Sequence, residues 1–374
     1  MLLINNADVA KVLTIEDTLR VLEDGHRELA RGDLAGRPRV DIYTETGAPD
    51  RFHRWGTMEG SSKGLQRFAI RMKSDVVSWP VRFGVKVEDK YCVQPGLFCG
   101  LILLFSTENG EPLAIINDGY LQHMRVGALY GLGAKYLAKE NSSVVGMLGS
   151  GGMAHTHLMA FAAVRKIKKV KVYSPNQEHR ELYAREMEQK LSLEVFPCDS
   201  AAEAVRSVDI LATCTNAKEP TVSAAMLEPG MHLTQVSREF MPDVYPRLDL
   251  CVGGGPACQV VEGVRIDDSQ GFPTYLAGSP EALKQAKGGA RKRREQVTDF
   301  HGRLVSLPDL ITGNTKGRSN DTEISASSGI TVGGEDSVKG LQFVTVASLI
   351  YDLAKKNGLG RELPLEWFLQ DIRD

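Results

Sequence analysis

The sequence contains no pair of cysteines at C-x-x-C spacing. Cys92, Cys99, Cys198, Cys214, Cys251 and Cys258 stand apart, which argues against a zinc ribbon or a redox dithiol and fits reduced thiols in a cytoplasmic protein. An excess of charge is missing too. Lys plus Arg number 45 and Asp plus Glu 47, a net charge of −2, so composition gives no reason to expect nucleic acid or a membrane surface as partner. The longest apolar run, Leu97 to Phe105, is too short to span a bilayer. The start, Met-Leu-Leu-Ile-Asn-Asn-Ala-Asp, lacks the cationic region and long apolar core of a signal peptide. What is present is an apolar fraction of 42% in 374 residues, an ordinary globular composition with chain enough for two domains.

The most informative stretch is Gly149-Ser150-Gly151-Gly152-Met153-Ala154. Before it, Val144 to Leu148 is a short apolar, β-branched run that reads as a buried strand. After it, Met153 to Val164 is rich in Ala, Leu, Met and Phe without Pro, which reads as a helix. The pattern is G-x-G-x-x-A, a dinucleotide fingerprint. Gly149 makes the tight turn, Gly151 admits the diphosphate to the backbone, and Ala154 lets helix and strand pack closely. The diphosphate then meets unpaired N–H groups at the positive end of the helix dipole. A second strand, Val170 to Tyr173, completes the βαβ unit. Its end, Ser174-Pro175-Asn176, holds no carboxylate for a ribose 2′-hydroxyl. Ser174, Asn176 and Arg180 can all donate to a 2′-phosphate, so NADP is favoured, with NAD possible.

In chain order, a helix capped by Thr14 carries Leu19, Leu22, His26 and Leu29 on one stripe, where His26 reads as a satisfied packing residue. From Arg39 to Asn117 the pattern is β: Arg39 to Tyr43, Phe68 to Met72, Phe83 to Val87, then Leu97 to Ser106. Asn109-Gly110 then signals a hairpin into Leu113 to Ile116. Residues 119 to 138 read as a helix whose Gly127, Ala128, Gly131 and Ala134 admit another backbone. Further on, Leu193 to Phe196, Asp209 to Cys214, His232 to Val236 and Asp249 to Val252 read as strands, and the last three as buried strands of a parallel sheet. Residues 281 to 300 read as a basic, solvated helix and Ser337 to Lys356 as a last helix.

Several stretches together resemble the ornithine cyclodeaminase/μ-crystallin family. They are Gly110 to Gly119, His123-Met124-Arg125-Val126-Gly127-Ala128, the Gly149 loop, Gly317-Arg318-Ser319-Asn320-Asp321-Thr322-Glu323-Ile324 and Ser337-Val338-Lys339-Gly340-Leu341-Gln342. The resemblance implies an α/β subunit with a Rossmann-type dinucleotide-binding domain, residues 119–324. It also implies a β-rich substrate-binding and dimerisation domain, residues 1–118 with 325–374, formed by the N-terminal part and the C-terminal helix. A homodimer with its active site between the domains is implied as well.

Family members move hydride between Cα of an amino or cyclic imino acid and nicotinamide. That chemistry requires a carboxylate clamp, for which the planar fork of arginine is suited, and a group to hold or exchange a proton at nitrogen. By resemblance the clamp is Arg39, Lys73 and Arg125, with Arg125 also facing the cofactor. Lys86 is a rival for the lysine role, and Arg39 reads equally as a solvated strand-end charge. Met58 and Glu59 line the pocket from a loop. Thr213, Cys214 and Thr215 form the turn against the nicotinamide ribose, with Cys214 better read as packing than as a nucleophile. Ornithine cyclodeaminase itself carries an Asp after the corresponding strand. Here Val236-Ser237-Arg238-Glu239-Phe240 puts Glu239 in that place as the candidate base, beside an arginine that favours its ionised form. His155 and His157, two apart on a helix, face different ways and make no metal site.

These features point to an NAD(P)-dependent imine or ketimine reductase or amino-acid dehydrogenase acting on a small amino or imino acid. A cyclodeaminase, or an NADP-dependent binding protein without turnover, are the alternatives.

Overall fold

A computed structural model describes residues 1–36, 39–82, 84–236, 239–253, 274–277, 300–328 and 339–372. Two large sheets organise them. The first runs Thr274–Ala277, Val40–Glu45, Phe52–Ser62, Arg67–Ser78, Cys99–Ser106, Pro112–Asn117, Leu2–Ile4 and Arg361–Glu362. Its central strands are antiparallel, and the hairpin expected at Asn109-Gly110 is there, with Gly110 at φ +80°. The outer pairings of Leu2–Ile4 with Pro112–Asn117 and of Thr274–Ala277 with Val40–Glu45 are parallel. The chain therefore opens with a strand and a short helix, Asn6–Val12, ahead of the helix expected first.

The second sheet is wholly parallel, in the order Glu194–Pro197, Lys169–Tyr173, Val144–Leu148, Ile210–Thr213, His232–Gln235, Ser325–Ser328, Leu250–Gly253 and Arg303–Ser306. Its central strands are buried end to end, as strands covered on both faces must be. Two segments cross the expected division at residue 324. Ser325–Ser328, read as part of the β-rich unit, lies inside the parallel sheet, and Thr274–Ala277 joins the other sheet. A run of four small residues, three serines and an alanine, carries little pattern of its own, so its pairing was illegible before folding.

Of Phe83 to Val87, read as one strand, Phe83 lies outside the described residues, and Val85–Lys86 instead pairs in a minor hairpin with Val81–Arg82. The basic stretch from 281 to 299 and Ser337-Val338 lie outside the described residues. The C-terminal helix is described from Lys339–Lys356. Among the described residues no helix is long and apolar enough to cross a membrane.

Glycines let the helices close up. In the helix Gly119–Leu137, a Cβ at Gly127 would lie 2.5 Å from the Thr156 backbone, and one at Gly131 2.7 Å from the Ala160 Cβ. This helix thus rests directly on Gly152–Val164, the helix after the glycine loop. On its other side, Gly340 packs against the Glu59 carbonyl, which seats the start of Lys339–Lys356 on the strand Phe52–Ser62.

Thr14 caps the helix Ile15–Arg31 by accepting from the Asp17 N–H at 3.1 Å. His26 is buried on its apolar face as expected, but it is not satisfied: neither ring nitrogen has a hydrogen-bond partner among the described residues. Burial holds its pKa down at about 4. The native imidazole thus stays neutral while the unfolded chain takes up a proton below its ordinary value of 6.5. The stability tied to neutral His26 is whole above pH 6.5 and is lost as pH falls towards 4. Replacing His26 with Leu is expected to flatten that loss by about 1.4 kcal/mol per pH unit across this window. Urea unfolding at a series of pH values checks this; a slope equal to that of the wild type would contradict it.

Candidate functional site

Strand alternation assembles the first half of the site. Arg71, Lys73 and Asp75 are every second residue of Arg67–Ser78 and therefore share one face. The register sets Arg71 beside Met58, Lys73 beside Gly56, and Asp75 beside Arg54. On the other flank Lys73 faces Gly100. Both neighbours of Lys73 being glycine leaves room for charge. A Cβ at Gly56 would collide with the Asp41 carboxylate and one at Gly100 with that of Asp118.

The face is a buried field of alternating sign. Arg39 Nε donates to Asp41 at 2.6 Å and Arg71 Nε to Asp118 at 2.6 Å. Lys73 pairs with Asp75, and Arg54 reaches both Asp75 and Glu88 at 3.3 Å. Arg125 instead meets amide oxygens, Gln342 at 2.6 Å and Gln122 at 2.8 Å. The Phe343 ring lies between two cations, 4.7 Å from the Arg125 guanidinium carbon and 5.5 Å from that of Arg71. Burial pushes Lys73 well below the ordinary lysine value, helped by the charges of Lys90 and Arg54 and opposed by Asp75.

The second half is the glycine loop. Gly149 adopts φ +108°, a conformation that side chains rarely take, and its N–H donates to Tyr173 O at 2.8 Å. A Cβ there would meet the Cys214 carbonyl at 2.5 Å, so the turn at Thr213-Cys214-Thr215 abuts the loop. Around the Cβ position of Gly151 there is open space, and Ala154 is fully buried against the sheet. Ser150, Gly151, Gly152 and Met153 remain accessible at a helix start with free N–H donors. These residues fit a dinucleotide diphosphate.

One helix joins the halves. Gly119–Leu137 starts just after Asp118, the partner of Arg71, and carries His123 and Arg125 within its first turns. A Cβ on Gly152 would lie 2.7 Å from His123 Cε1, so this imidazole sits at the glycine loop. Burial lowers its pKa, with Lys90 adding to the effect and Asp118 opposing it. In the sequence His123 stands out only as part of the His123 to Ala128 motif. From Asp118 to Arg125 the helix rises roughly 10 Å, which brings the charged face close to the loop. The excursion after Ser78 ties the sheets as well. Val87 bridges Ala217, the Lys218 N–H donates to Lys86 O at 2.8 Å, and Lys218 Nζ meets Glu88 at 3.0 Å.

The predicted residues sort clearly. Arg39, Met58, Lys73 and Arg125 come together on the charged face. Arg39 is buried, not a solvated strand end, and the rival Lys86 is exposed on the minor hairpin. Glu59 sits in a strand rather than a loop, paired with Ile70. Alternation therefore turns it to the face opposite Met58 and Arg71, where it is buried. Glu239 is also placed differently from expectation. It is buried, and its carboxylate accepts from the Thr215 N–H at 3.0 Å and hydroxyl at 3.1 Å. It braces the Thr213–Thr215 turn, and Ser237 and Arg238 beside it lie outside the described residues. The Cys214 thiol is pushed well above its ordinary range by burial and by Glu239, which fits packing rather than nucleophilicity. Arg318, in the motif at 317–324, is structural: it donates to Leu137 O at 3.0 Å and to Ser325 Oγ at 2.9 Å.

At the end of Lys169–Tyr173, Asn176 caps the next helix by accepting from the His179 N–H at 3.0 Å. Arg180 donates to Ser174 O at 3.2 Å and to Asp199 at 2.9 Å. A carboxylate is thus present at this strand end after all, delivered by the neighbouring strand Glu194–Pro197.

Residues 88–252 match the model of the ornithine cyclodeaminase/mu-crystallin family. The chain is 27% identical over 268 residues to a Δ1-pyrroline-2-carboxylate reductase of Bacillus cereus, covering 71% of this chain and 74% of the relative. It is 25% identical over 382 residues to an alanine dehydrogenase of Archaeoglobus fulgidus, covering 97% and 98%. The structure of the Thermococcus litoralis Δ1-pyrroline-2-carboxylate reductase with NADH and L-proline superposes with a TM-score of 0.71 at 24% identity, over 97% of this chain and 100% of that one.

The brace at Thr215 makes the role of Glu239 separable. Glu239→Gln keeps an acceptor for Thr215 and is expected to leave the pH profile of turnover unshifted. Glu239→Ala strands a buried N–H and is expected to destabilise the protein by about 1–3 kcal/mol. A pH profile that loses a limb in the Gln variant would make Glu239 a base instead.

Proposed function

From the match of residues 88–252 to the ornithine cyclodeaminase/mu-crystallin family, we propose that the chain belongs to that family and is a nicotinamide-dinucleotide-dependent oxidoreductase of small amino or cyclic imino acids. The reaction is hydride transfer between the nicotinamide and substrate Cα. One observation carries the reading: a buried row of cations on the sheet face, tied by a single helix to an open glycine loop.

The assignment of roles follows from the chemistry of the groups. Gly149, Gly151, Gly152 and Met153 receive the diphosphate on backbone N–H groups, while the turn at Thr213-Cys214-Thr215 shapes the ribose side. His123 lines the same loop. The bound dinucleotide supplies or accepts the hydride. Arg39 and Arg125 grip the substrate carboxylate, whose charge compensates the desolvation of the guanidinium groups. Lys73, with its lowered pKa and Asp75 alongside, holds or exchanges the proton at the substrate nitrogen. In the reductive direction the C=N carbon gains hydride and the nitrogen gains that proton. On this reading Glu59, on the opposite face of its strand, and Glu239, bound to Thr215, stand outside the reacting set.

The test is nicotinamide oxidation, followed by absorbance, with Δ1-pyrroline-2-carboxylate, other cyclic imino acids, and α-keto acids with ammonia. Turnover with any of them supports the proposal. Ammonia release from ornithine without net absorbance change would assign a cyclodeaminase instead, and tight ligand binding without turnover a binding protein. Arg125→Ala is expected to raise KM about 10- to 100-fold, the range for a lost charge-assisted hydrogen bond, with dinucleotide affinity nearly unchanged. Lys73→Met is expected to lower kcat by about 10²–10⁴. A collapse of dinucleotide affinity in the Arg125 variant would remove that residue from the substrate clamp.

We also propose a homodimer formed through the outer face of the antiparallel sheet. Leu3, Ile42 and Leu101 stand 39%, 42% and 37% exposed there, flanked by half-buried Ile70, Leu103 and Ile115. Light scattering on the purified chain should give twice the monomer mass. Leu101→Lys should shift it to the monomer, and a monomeric wild type would refute the interface.

A further inference from the structure

The cation expected to receive a 2′-phosphate already has an anionic partner. The edge in question is fixed by the Gly149 N–H bond to Tyr173 O, 2.8 Å, which sets the end of that strand beside the glycine loop, where a βαβ unit places the adenosine ribose. Arg180 lies one turn into the helix Gln177–Leu191. Its guanidinium is held by the Ser174 carbonyl at 3.2 Å and stands 5.9 Å from the centre of the Tyr173 ring. The Asp199 carboxylate accepts from it at 2.9 Å. Asp199 reaches this edge because the adjacent Cys198 N–H donates to Val172 O at 2.8 Å, which pins the end of its strand alongside. The side chain of Arg180 is 10% exposed and that of Asp199 95% exposed. The cation is therefore fixed in place while the acid stands in solvent.

We infer that Asp199 is the residue that sets dinucleotide preference, and that it favours NADH over NADPH. This inference rests on the proposed cofactor site. A ribose 2′-hydroxyl can donate to the Asp199 carboxylate, whereas a 2′-phosphate would meet its negative charge and find Arg180 already engaged. Asn176 keeps its side-chain oxygen on the helix cap, so what it can offer a 2′-phosphate is a neutral amide N–H, which does not offset the charge of the acid. The preference is thus the reverse of that read from Ser174-Pro175-Asn176, because the deciding carboxylate comes from the next strand.

The test is titration of the full chain with NADH and NADPH, following nicotinamide fluorescence, for the wild type, Asp199→Asn and Asp199→Asn/Arg180→Gln. The wild type should bind NADH more tightly. Asp199→Asn should tighten NADPH about tenfold, as expected for removing one nearby like charge, and should weaken NADH, which loses a charged acceptor for its 2′-hydroxyl. The double variant should lose the gain. Tighter NADPH binding by the wild type, or a shift of both dinucleotides alike in Asp199→Asn, overturns the inference while leaving the cofactor site intact. Binding of neither by the wild type overturns the cofactor site itself.

Discussion

Buried charge is the constraint around which the rest of this protein is arranged. Arg39, Arg54, Arg71, Lys73 and Arg125 are removed from most of the water on or beside one sheet face, and an uncompensated buried ion is far too costly to persist. Asp41, Asp75, Glu88 and Asp118 answer the first four at ion-pair distance, and Gln122 and Gln342 accept from Arg125. The glycines at 56 and 100 exist in this setting as space: a side chain at either would occupy the volume of a carboxylate. Fold and site are therefore the same problem here, since the strands can close only if the charges find one another.

The same constraint explains how the two sheets are joined. Asp118 neutralises Arg71 and immediately precedes the long helix, so the ion pair anchors that helix to the charged face. Small residues farther along let it lie on the helix behind the glycine loop, with Gly127 and Gly131 at the closest approach. From the other side, Gly340 allows the C-terminal helix to press on the strand at Glu59, which delivers Gln342 and Phe343 to Arg125. The excursion carrying Glu88 adds a third tie, sharing that carboxylate between Arg54 and Lys218. A substrate carboxylate entering this field would join an existing pattern of alternating charge.

Much of this was legible in the sequence. The glycine loop, its strand and its helix follow from local pattern: a β-branched run, a fingerprint, an Ala-rich continuation. Gly110 announces its hairpin because a positive φ favours glycine. Arg125 and Lys73 were recognisable by motif, and the burial of Lys73 then separates it from Lys86. Glu59 was misjudged because its direction depends on strand register, and a residue read into a loop has no assigned face. The contact of Glu239 with Thr215 was not legible, because a carboxylate's place along the chain says nothing about which N–H it will meet.

What the sequence determined by itself is what short-range sterics and periodicity control: the dinucleotide fold of the middle of the chain, the antiparallel character of residues 39–117, and the identity of the motif residues. Only the tertiary structure decided the rest. It inserted Ser325–Ser328 between strands far away in sequence and set Glu239 under Thr215. It also brought Asp199 back to Arg180 from the adjoining strand. Each of these is a pairing between groups distant along the chain. Such pairings are selected by burial and by the satisfaction of hydrogen bonds and charges, which exist only once the sheets have formed.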